Sequence, residues 1–222
     1  MTDQGFSHIA FFDVDHTLIP ENSGKSLILR ARREGLMRKR DFVHAVYLAL
    51  LFRMNWRDPM RIIPRMAGWL EGVSENELNE LVGELFADRL ASAIPDAIYR
   101  EMDMHRKLGA RLVILSASMT PVCNAFAQHL GMDDVICTEL ETRDGYYTGR
   151  TLGRFCYGDE KLVRMINYCR GARCMLEHAW FYSDSVSDLP GLEQVGHPIC
   201  VNPDKALQRI AQTRGWAVRD WK

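Results

Sequence analysis

The sequence predicts an α/β fold in which a Rossmann-like parallel sheet carries helices on both faces and is interrupted by an inserted, all-helical segment. Three observations support this fold. Short apolar runs alternate with helical patterns, residues 20–94 contain helical patterns only, and the first apolar run ends in two acidic residues. With 222 residues, 47% of them hydrophobic, the chain is large enough to bury a substantial core.

Five short apolar runs are the predicted strands of the sheet, at residues 8–14, 111–116, 134–138, 179–183 and 198–201. Helical patterns alternate with the later strands, at residues 95–108, 119–130, 159–171, 187–195 and 203–213. One segment departs from this alternation. Asp144-Gly145 lies between two short extended runs within residues 138–150, and this dipeptide predicts a β-hairpin.

The segment between the first two strands contains four helical patterns, at residues 25–36, 40–54, 58–70 and 74–91. We expect it to cover the carboxyl ends of the strands, which divides the chain into a core of residues 1–19 and 95–222 and a cap of residues 20–94. Residues 20–70 hold eleven Lys/Arg and four Asp/Glu, whereas residues 71–94 hold one Arg and six Asp/Glu. A basic face near a site would attract an anion, and an ordinary solvated surface is the alternative.

Asp13 and Asp15 follow the first apolar run with one residue between them, and Thr17 comes next. Alternation along a strand would place both carboxylates on one face, where two close anions are costly unless a cation lies between them. The position is also informative, because ligands of open α/β sheets bind at the carboxyl ends of the strands. The pattern therefore predicts a divalent-metal site, although the pair alone is equally typical of a solvated turn.

Three further motifs follow in a fixed order. Ser116, Ala117 and Ser118 end the second predicted strand just before a helix, where hydroxyl and backbone N–H groups can hold a phosphate oxygen. Lys161 lies in the first turn of a predicted helix, where the helix dipole gives a cation no benefit, which indicates another role. Asp184 and Asp188 follow the fourth predicted strand, so a second pair of acidic residues comes after a buried strand, as Asp13 and Asp15 do.

Together these residues resemble the four motifs of the haloacid dehalogenase (HAD) superfamily, in its phosphoserine-phosphatase-like branch, subfamily IB. The motifs correspond to Asp13/Asp15/Thr17, Ser116, Lys161 and Asp184/Asp188. Residues 202–207 and 215–216 resemble the C-terminal signature of that branch, so the resemblance covers almost the whole chain. It implies a helical cap inserted between the first and second motifs and a Mg²⁺-dependent phosphatase activity.

The resemblance assigns a role to each motif residue. Asp13 would attack phosphorus and form an aspartyl-phosphate, while Asp15 would protonate the leaving alcohol and then deprotonate the attacking water. Asp13, the backbone carbonyl of Asp15 and Asp184 would hold Mg²⁺, with Asp188 supporting them. The phosphoryl oxygens would be bound by Thr17, Ser116, the backbone at Ala117, and Lys161.

The expected substrate is a small phosphorylated metabolite, such as phosphoserine or histidinol phosphate. Phosphoserine phosphatases carry a glutamate for the serine amine at the position held here by Asn22, and an asparagine at the position of Ser187. A neutral amide is a poorer partner for an ammonium group, so Asn22 is a candidate substrate-binding residue that argues against phosphoserine. His16 lies close enough to contact a substrate, and its role is open.

Two other functions remain open at this stage. A phosphotransferase with an acceptor other than water would use the same residues. A membrane-surface regulatory module would use the basic cap, through the apolar run 42–52 and its flanking cations at residues 38–40 and 53. This run is too short to span a bilayer, and we expect it to pack against other cap helices rather than contact a membrane.

Composition argues against several other classes. The formal net charge of −1 gives no indication of a nucleic-acid partner. The six cysteines form no Cys-x-x-Cys pair, which favours free thiols in a reducing cytoplasm over a zinc site. Residues 1–7 lack the pattern of a secretory signal, so a cytoplasmic location is expected, while the oligomeric state stays open.

Overall fold

The computed structural model describes residues 6–53 and 63–221. Within them, eight strands follow one another along the chain: β1 Ile9–Phe12, β2 Arg111–Met119, β3 Asp134–Thr138, β4 Leu140–Arg143, β5 Tyr146–Thr151, β6 Trp180–Ser183, β7 His197–Val201 and β8 Ala217–Arg219. Six of these form a parallel sheet in the order β3-β2-β1-β6-β7-β8, and β4 pairs with β5 in an antiparallel hairpin. This architecture confirms the predicted α/β fold.

In the part of the chain that the structure describes, eight α-helices accompany the strands: α1 Ser23–Arg33, α2 Lys39–Arg53, α3 Glu75–Leu85, α4 Asp96–Lys107, α5 Thr120–Leu130, α6 Asp159–Gly171, α7 Leu189–Leu192 and α8 Lys205–Arg214. Shorter helices of other types are also present: 3-10 turns at Ile63–Leu70, Ala91–Ala93, Leu176–His178 and Val186–Asp188, and a π-helix at Phe86–Leu90. None of the helices in the described ranges is long and apolar enough to cross a bilayer.

The centre of the sheet is buried on both faces. In β1, Ala10 and Phe12 pack into one apolar cluster, while Ile9 and Phe11 pack into a second cluster on the opposite face. This division follows from the two-residue period of a strand, and it requires helices on both sides of the sheet. The apolar run that predicts the first strand is therefore continuous rather than alternating.

Several predicted elements differ from those observed. β8 was not expected, because it is only three residues long and lies at the edge of the sheet, where little apolar pattern is needed. The predicted helix 187–195 is reduced to a 3-10 turn and the four-residue helix α7. In the insertion, the pattern 74–91 forms α3 followed by the π-helix and a 3-10 turn, and the described part of the pattern 58–70 is a 3-10 helix. Residues 54 and 58–62 of the predicted helices lie outside the described residues.

The predicted hairpin is present, and its position in the fold was not foreseen. Asp144 and Gly145 both have positive φ angles, 53° and 82°, as a tight hairpin turn requires. Tyr147 in β5 donates its N–H to the carbonyl of Val73 and accepts from Gly72 N–H, both at 2.9 Å. The hairpin is thus joined by backbone hydrogen bonds to the helical insertion. The exact domain boundaries at residues 20 and 94 stay a prediction.

Candidate active site

Asp13 lies directly after β1, at the carboxyl edge of the sheet. Its backbone N–H donates to the carbonyl of Tyr182 at 3.0 Å, which continues the pairing of β1 with β6. Its carboxylate accepts from the N–H of Val14 at 2.7 Å and lies 2.9 Å from Nζ of Lys161. Both oxygens are therefore oriented before any ligand binds.

Asp15 is held by groups from two other segments. Its Oδ1 accepts from the N–H of Ser23 at 2.8 Å, and its Oδ2 accepts from Nδ2 of Asn22 at 2.9 Å and from the hydroxyl of Ser118 at 3.5 Å. Burial raises the pKa of the Asp15 carboxyl to about 6, although hydrogen bonding by Ser23 lowers it. A carboxyl group with this pKa can give up or accept a proton near neutral pH.

Lys161 extends from the first turn of α6 into the buried centre of the site, with 2% of its side chain exposed. Its Nζ lies 2.9 Å from Oδ2 of Asp13 and 2.7 Å from Oδ2 of Asp188. Burial alone would lower the pKa of Lys161, but the two carboxylates outweigh it and hold the pKa above its usual value. The lysine is therefore a buried, permanent cation.

The two later acids have different surroundings. Asp188 is almost fully buried, and its Oδ2 accepts from Lys161 Nζ and from the hydroxyl of Ser183, each at 2.7 Å. Burial raises the pKa of Asp188, against the opposing effect of Lys161. Asp184 follows β6, and burial together with the carboxylates of Asp13 and Asp188 raises its pKa to about 8. Asp188 therefore contacts Lys161 directly, as well as Ser183.

The predicted phosphate-binding residues are Thr17, Ser116 and Ala117, in addition to Lys161. The hydroxyl of Thr17 is buried and has no hydrogen-bond partner among the described residues. Ser116 is buried within β2, three residues before its last residue, and its Oγ accepts from the N–H of Ser118 at 3.2 Å. Ala117 is fixed through its carbonyl, which accepts from the hydroxyl of Thr138 at 2.9 Å. An unpartnered buried hydroxyl is costly unless a ligand completes it, so Thr17 indicates a polar ligand here.

Asn22 caps the N-terminus of α1. Its Oδ1 accepts from the N–H of Lys25 at 2.8 Å, while its Nδ2 donates to Asp15. Both polar atoms therefore have partners within the protein, which sequence reasoning did not foresee. Its side chain is exposed beside Asp15, where a substrate could reach it. The assignment of Asn22 to substrate binding stays a prediction.

Three serines contact acidic residues of the site in a way that sequence reasoning did not foresee. Ser23 and Ser118 contact Asp15, and their hydroxyls lie 2.9 Å apart, while Ser183 contacts Asp188. Each lies within two residues of a residue that was identified. Alternation along β2 would have indicated Ser118, since it shares a face with Ser116.

Glu21 and Arg89 form an ion pair beside the loop that carries Asp15. Arg89 Nε donates to both carboxylate oxygens of Glu21 at 3.0 Å, and Ser26 donates to Oε2 at 2.6 Å. Burial acts to raise the pKa of Glu21, but these hydrogen bonds outweigh it and lower the pKa. Arg89 comes from the π-helix near the end of the insertion, and Glu21 lies at its start, so this pair joins the two ends of the insertion beside the site.

The residues present fit a magnesium ion. No group of three or more His, Cys, Asp or Glu side chains in the described ranges has a metal-binding arrangement. The predicted ligand set uses only two side chains, Asp13 and Asp184, and the backbone carbonyl of Asp15. Mg²⁺ prefers oxygen ligands and usually keeps several waters, so a small set is sufficient. The site also brings the carboxylates of Asp13 and Asp188 to one buried cation, Lys161, so the carboxylates there exceed the cations that pair with them.

Comparison with known proteins supports the fold and the enzyme class. Residues 10–193 match the haloacid dehalogenase-like hydrolase family. A histidinol-phosphatase from Neisseria meningitidis is 30% identical over 227 residues, covering 97% of this chain and 99% of that protein. A phosphoserine phosphatase from Mycobacterium tuberculosis is 30% identical over 219 residues, covering 96% of this chain and 70% of that protein.

Solved structures show the same architecture. A protein of unknown function from Bordetella pertussis superposes with a TM-score of 0.90 at 30% identity, covering 98% of this chain and all of that one. A phosphoserine phosphatase superposes with a TM-score of 0.70 at 14% identity, covering 98% and 95% of the two chains, which shows the fold alone. The predicted enzyme class, a HAD-type phosphatase, is confirmed by the family match and the curated relatives. The chain therefore belongs to the haloacid dehalogenase-like hydrolase family.

Proposed function

We propose that this enzyme hydrolyses a small phosphomonoester with the help of Mg²⁺, through an aspartyl-phosphate on Asp13. One observation carries the proposal. The Asp13 carboxylate is held 2.9 Å from the buried cation of Lys161, and the unpartnered hydroxyl of Thr17 is buried in the same motif. A carboxylate nucleophile beside a cation and free donors is the arrangement that phosphoryl transfer requires.

The first step transfers the phosphoryl group to the protein. A carboxylate oxygen of Asp13 attacks phosphorus, and the bond from phosphorus to the substrate oxygen breaks. The departing oxygen takes the proton of Asp15, whose pKa of about 6 leaves part of the population protonated near neutral pH. Lys161 and Thr17 would balance and bind the phosphoryl oxygens, and this electrostatic contribution is usually the largest one.

The second step releases phosphate. Asp15, now a carboxylate, takes a proton from a water molecule, whose oxygen attacks phosphorus and breaks the bond to Asp13. Ser23, Asn22 and Ser118 hold Asp15 in place for both proton transfers. Mg²⁺, held by Asp13, the Asp15 carbonyl and Asp184, would neutralise charge on the phosphoryl group and orient it.

The substrate class is inferred from the leaving-group side of the site. Asn22 lies beside the proposed general acid, Asp15. The residue before it, Glu21, forms an ion pair with Arg89. These polar and charged groups favour a leaving alcohol that itself carries polar or charged groups. An amino-alcohol phosphate such as histidinol phosphate fits this description, and one relative is named a histidinol-phosphatase. Phosphoserine belongs to the same chemical class and another relative is named a phosphoserine phosphatase, but Asn22 in place of a glutamate makes it the weaker candidate.

A cytoplasmic location is part of the same proposal. It is supported by the cysteines, all six of which are described and carry free thiols. Unpaired cysteines are the usual condition in a reducing compartment.

Phosphate release from a panel of phosphorylated metabolites tests the proposal. Histidinol phosphate, phosphoserine and glycerol phosphate would be compared, with and without Mg²⁺ and with added alcohols as alternative acceptors. We expect Mg²⁺-dependent release of inorganic phosphate, with a preference for amino-alcohol phosphates. Phosphorylated alcohol as the main product would instead identify a phosphotransferase.

The variant Asp13→Asn tests the covalent step directly. The amide is close in shape to the carboxylate but cannot attack phosphorus, so turnover should vanish while the fold is retained. Trapping of radioactive phosphate on denatured wild-type protein, and its loss in Asp13→Asn, would identify the phosphorylated residue. Steady-state turnover in a pure variant that mass spectrometry shows to be undeamidated would contradict the assignment.

A further inference from the structure

Helix α2 is apolar on two faces, and within the described residues only one of them is covered. Ala45 and Leu48 are buried against the rest of the protein, with 5% and 3% exposed. On the opposite face, Val43 is 67% and Leu50 is 52% exposed. Helices that are hydrophobic all round are normally covered on all sides. The expectation that this run packs against the insertion is therefore correct for one face only.

The exposed apolar residues form a continuous row. Val43, Val46, Tyr47 and Leu50, here called the α2 stripe, have the i, i+3, i+4, i+7 spacing of one helix face. All four are exposed, Val46 by 43% and Tyr47 by 53%. Isolated apolar residues on a surface are ordinary, but a row of four on one helix face indicates a contact surface.

A cluster of cations lies at the amino-terminal end of the α2 stripe. Arg38, Lys39 and Arg40, here called the α2 cation cluster, are all exposed. Arg40 lies 3.4 Å from Asp41, whereas Arg38 and Lys39 form no ion pair within residues 6–53 and 63–221. Lys39 also lies in line with the stripe, four residues before Val43. The exposed face therefore combines apolar and unneutralised cationic groups.

The charge of this face determines what could cover it. In a parallel pairing of α2 with a second copy, the cations of one helix would meet the same cations of the other. In an antiparallel pairing they would approach residues 49–53, whose sequence holds no acidic residue to pair with them. Neither pairing with a second copy neutralises the cations, so an anionic partner is favoured. The stripe is a convex helix surface, and a lipid interface needs no matching groove.

We propose that α2 docks on an anionic lipid surface, with the α2 stripe in the boundary between headgroups and acyl chains and the α2 cation cluster among the anionic headgroups. Helices that lie in such an interface combine apolar residues on one side with Lys and Arg near the headgroups. At 15 residues, α2 would lie on the bilayer and not cross it. This proposal is independent of the phosphatase mechanism.

Vesicle co-sedimentation of the full chain tests the proposal. Vesicles of equal parts phosphatidylglycerol and phosphatidylcholine would be compared with vesicles of phosphatidylcholine alone. The stripe variant is Val43→Ser with Leu50→Ser, and its matched control is Leu108→Ser with Val218→Ser, two exposed apolar residues elsewhere. The cation variant is Arg38→Gln with Lys39→Gln, matched by Lys205→Gln with Arg209→Gln on α8.

We expect the wild type and both controls to bind the anionic vesicles and to lose binding in high salt. Each cation near an anionic bilayer contributes about fivefold to binding, so the cation variant should bind about 30-fold more weakly. The stripe variant should bind at least about tenfold more weakly, because two apolar side chains no longer enter the interface.

Two results would overturn the proposal: absence of binding to anionic vesicles, or equal binding by the stripe variant. If binding is absent and the wild type self-associates in a way that the stripe variant abolishes, the face belongs to a second copy of the chain. Circular dichroism would show whether each variant is folded. If the serine variant unfolds, Val43→Ala with Leu50→Ala removes most of the same apolar surface with less change in polarity.

Discussion

Lys161→Met is the substitution that most directly tests the electrostatic design of the site. The wild-type ammonium is 2% exposed and lies 2.9 Å and 2.7 Å from the carboxylates of Asp13 and Asp188. Removing it leaves both carboxylates, and the nearby Asp184, without their buried cation. Breaking a buried ion pair from one side typically costs about 3–5 kcal/mol. For a chain of this size that corresponds to a decrease in Tm of about 6–20 °C.

The loss of stability should depend on pH in a predictable direction. Burial and neighbouring carboxylates already raise the pKa of Asp184 to about 8, and burial raises that of Asp188. Without Lys161 these pKa values should rise further. A carboxyl group whose pKa is raised on folding destabilises the folded state increasingly as pH rises through that pKa. The difference between variant and wild type should therefore be small in acid and grow towards alkaline pH.

Metal-free thermal and urea unfolding of both proteins across pH provides the measurement. Lys107→Met, at an exposed site in the last turn of α4, is the matched control and should change stability by less than about 0.5 kcal/mol. Adding Asp188→Asn to Lys161→Met should restore part of the loss, since it removes one uncompensated charge. Unchanged or increased stability of Lys161→Met at neutral and alkaline pH would refute the electrostatic reasoning.

Three further predictions concern packing, acid stability and the metal. Gly149→Ala should destabilise the protein by about 1–3 kcal/mol in a urea titration, because φ is 75° and an added Cβ would lie 3.2 Å from the carbonyl oxygen of Gly68. The control is Gly153→Ala, where φ is 76° and an added Cβ would have no atom within 4 Å. This control has the backbone strain without the crowding. Burial, and to a smaller extent the neighbouring His8, lowers the pKa of His105 from 6.5 to about 4. The contribution of the neutral His105 to the free energy of unfolding should therefore be fully present above pH 6.5 and decrease as the pH falls towards 4. In His105→Gln this part of the acid sensitivity should disappear from the unfolding free energy measured against pH. Removal of metal with EDTA should abolish turnover. Asp184→Ala should weaken Mg²⁺ activation more than Asp188→Ala does, because the carboxylate of Asp188 accepts a hydrogen bond from Lys161.

Each of these has a contrary outcome. Equal losses of unfolding free energy in Gly149→Ala and Gly153→Ala would show that crowding against Gly68 adds nothing to the backbone strain at a positive φ. An unchanged pH slope in His105→Gln would mean that the histidine is not held neutral in the folded protein. Equal Mg²⁺ dependence in the two aspartate variants would remove the distinction between ligand and support.

The outline of the sheet and the motif residues were predictable because they depend on local pattern. A buried strand needs a continuous apolar run, and Phe11-Phe12 followed by Asp13 shows both the strand and where it ends. The chain also places Asp144-Gly145 where only a tight turn is favourable, and the hairpin forms there. β8 was missed because an edge strand of three residues has too little apolar pattern to detect.

The partners of the site residues were not predictable, because they come from segments far apart in the chain. The sequence by itself determined the fold class, the order of the motifs and the presence of several acids with one lysine at one edge of the sheet. Only the tertiary structure decided that Lys161 pairs with both Asp13 and Asp188, that Asn22 donates to Asp15, and that one apolar face of α2 stays exposed. Local periodicity states which face of an element is apolar, whereas the group that meets that face is set by how distant segments pack.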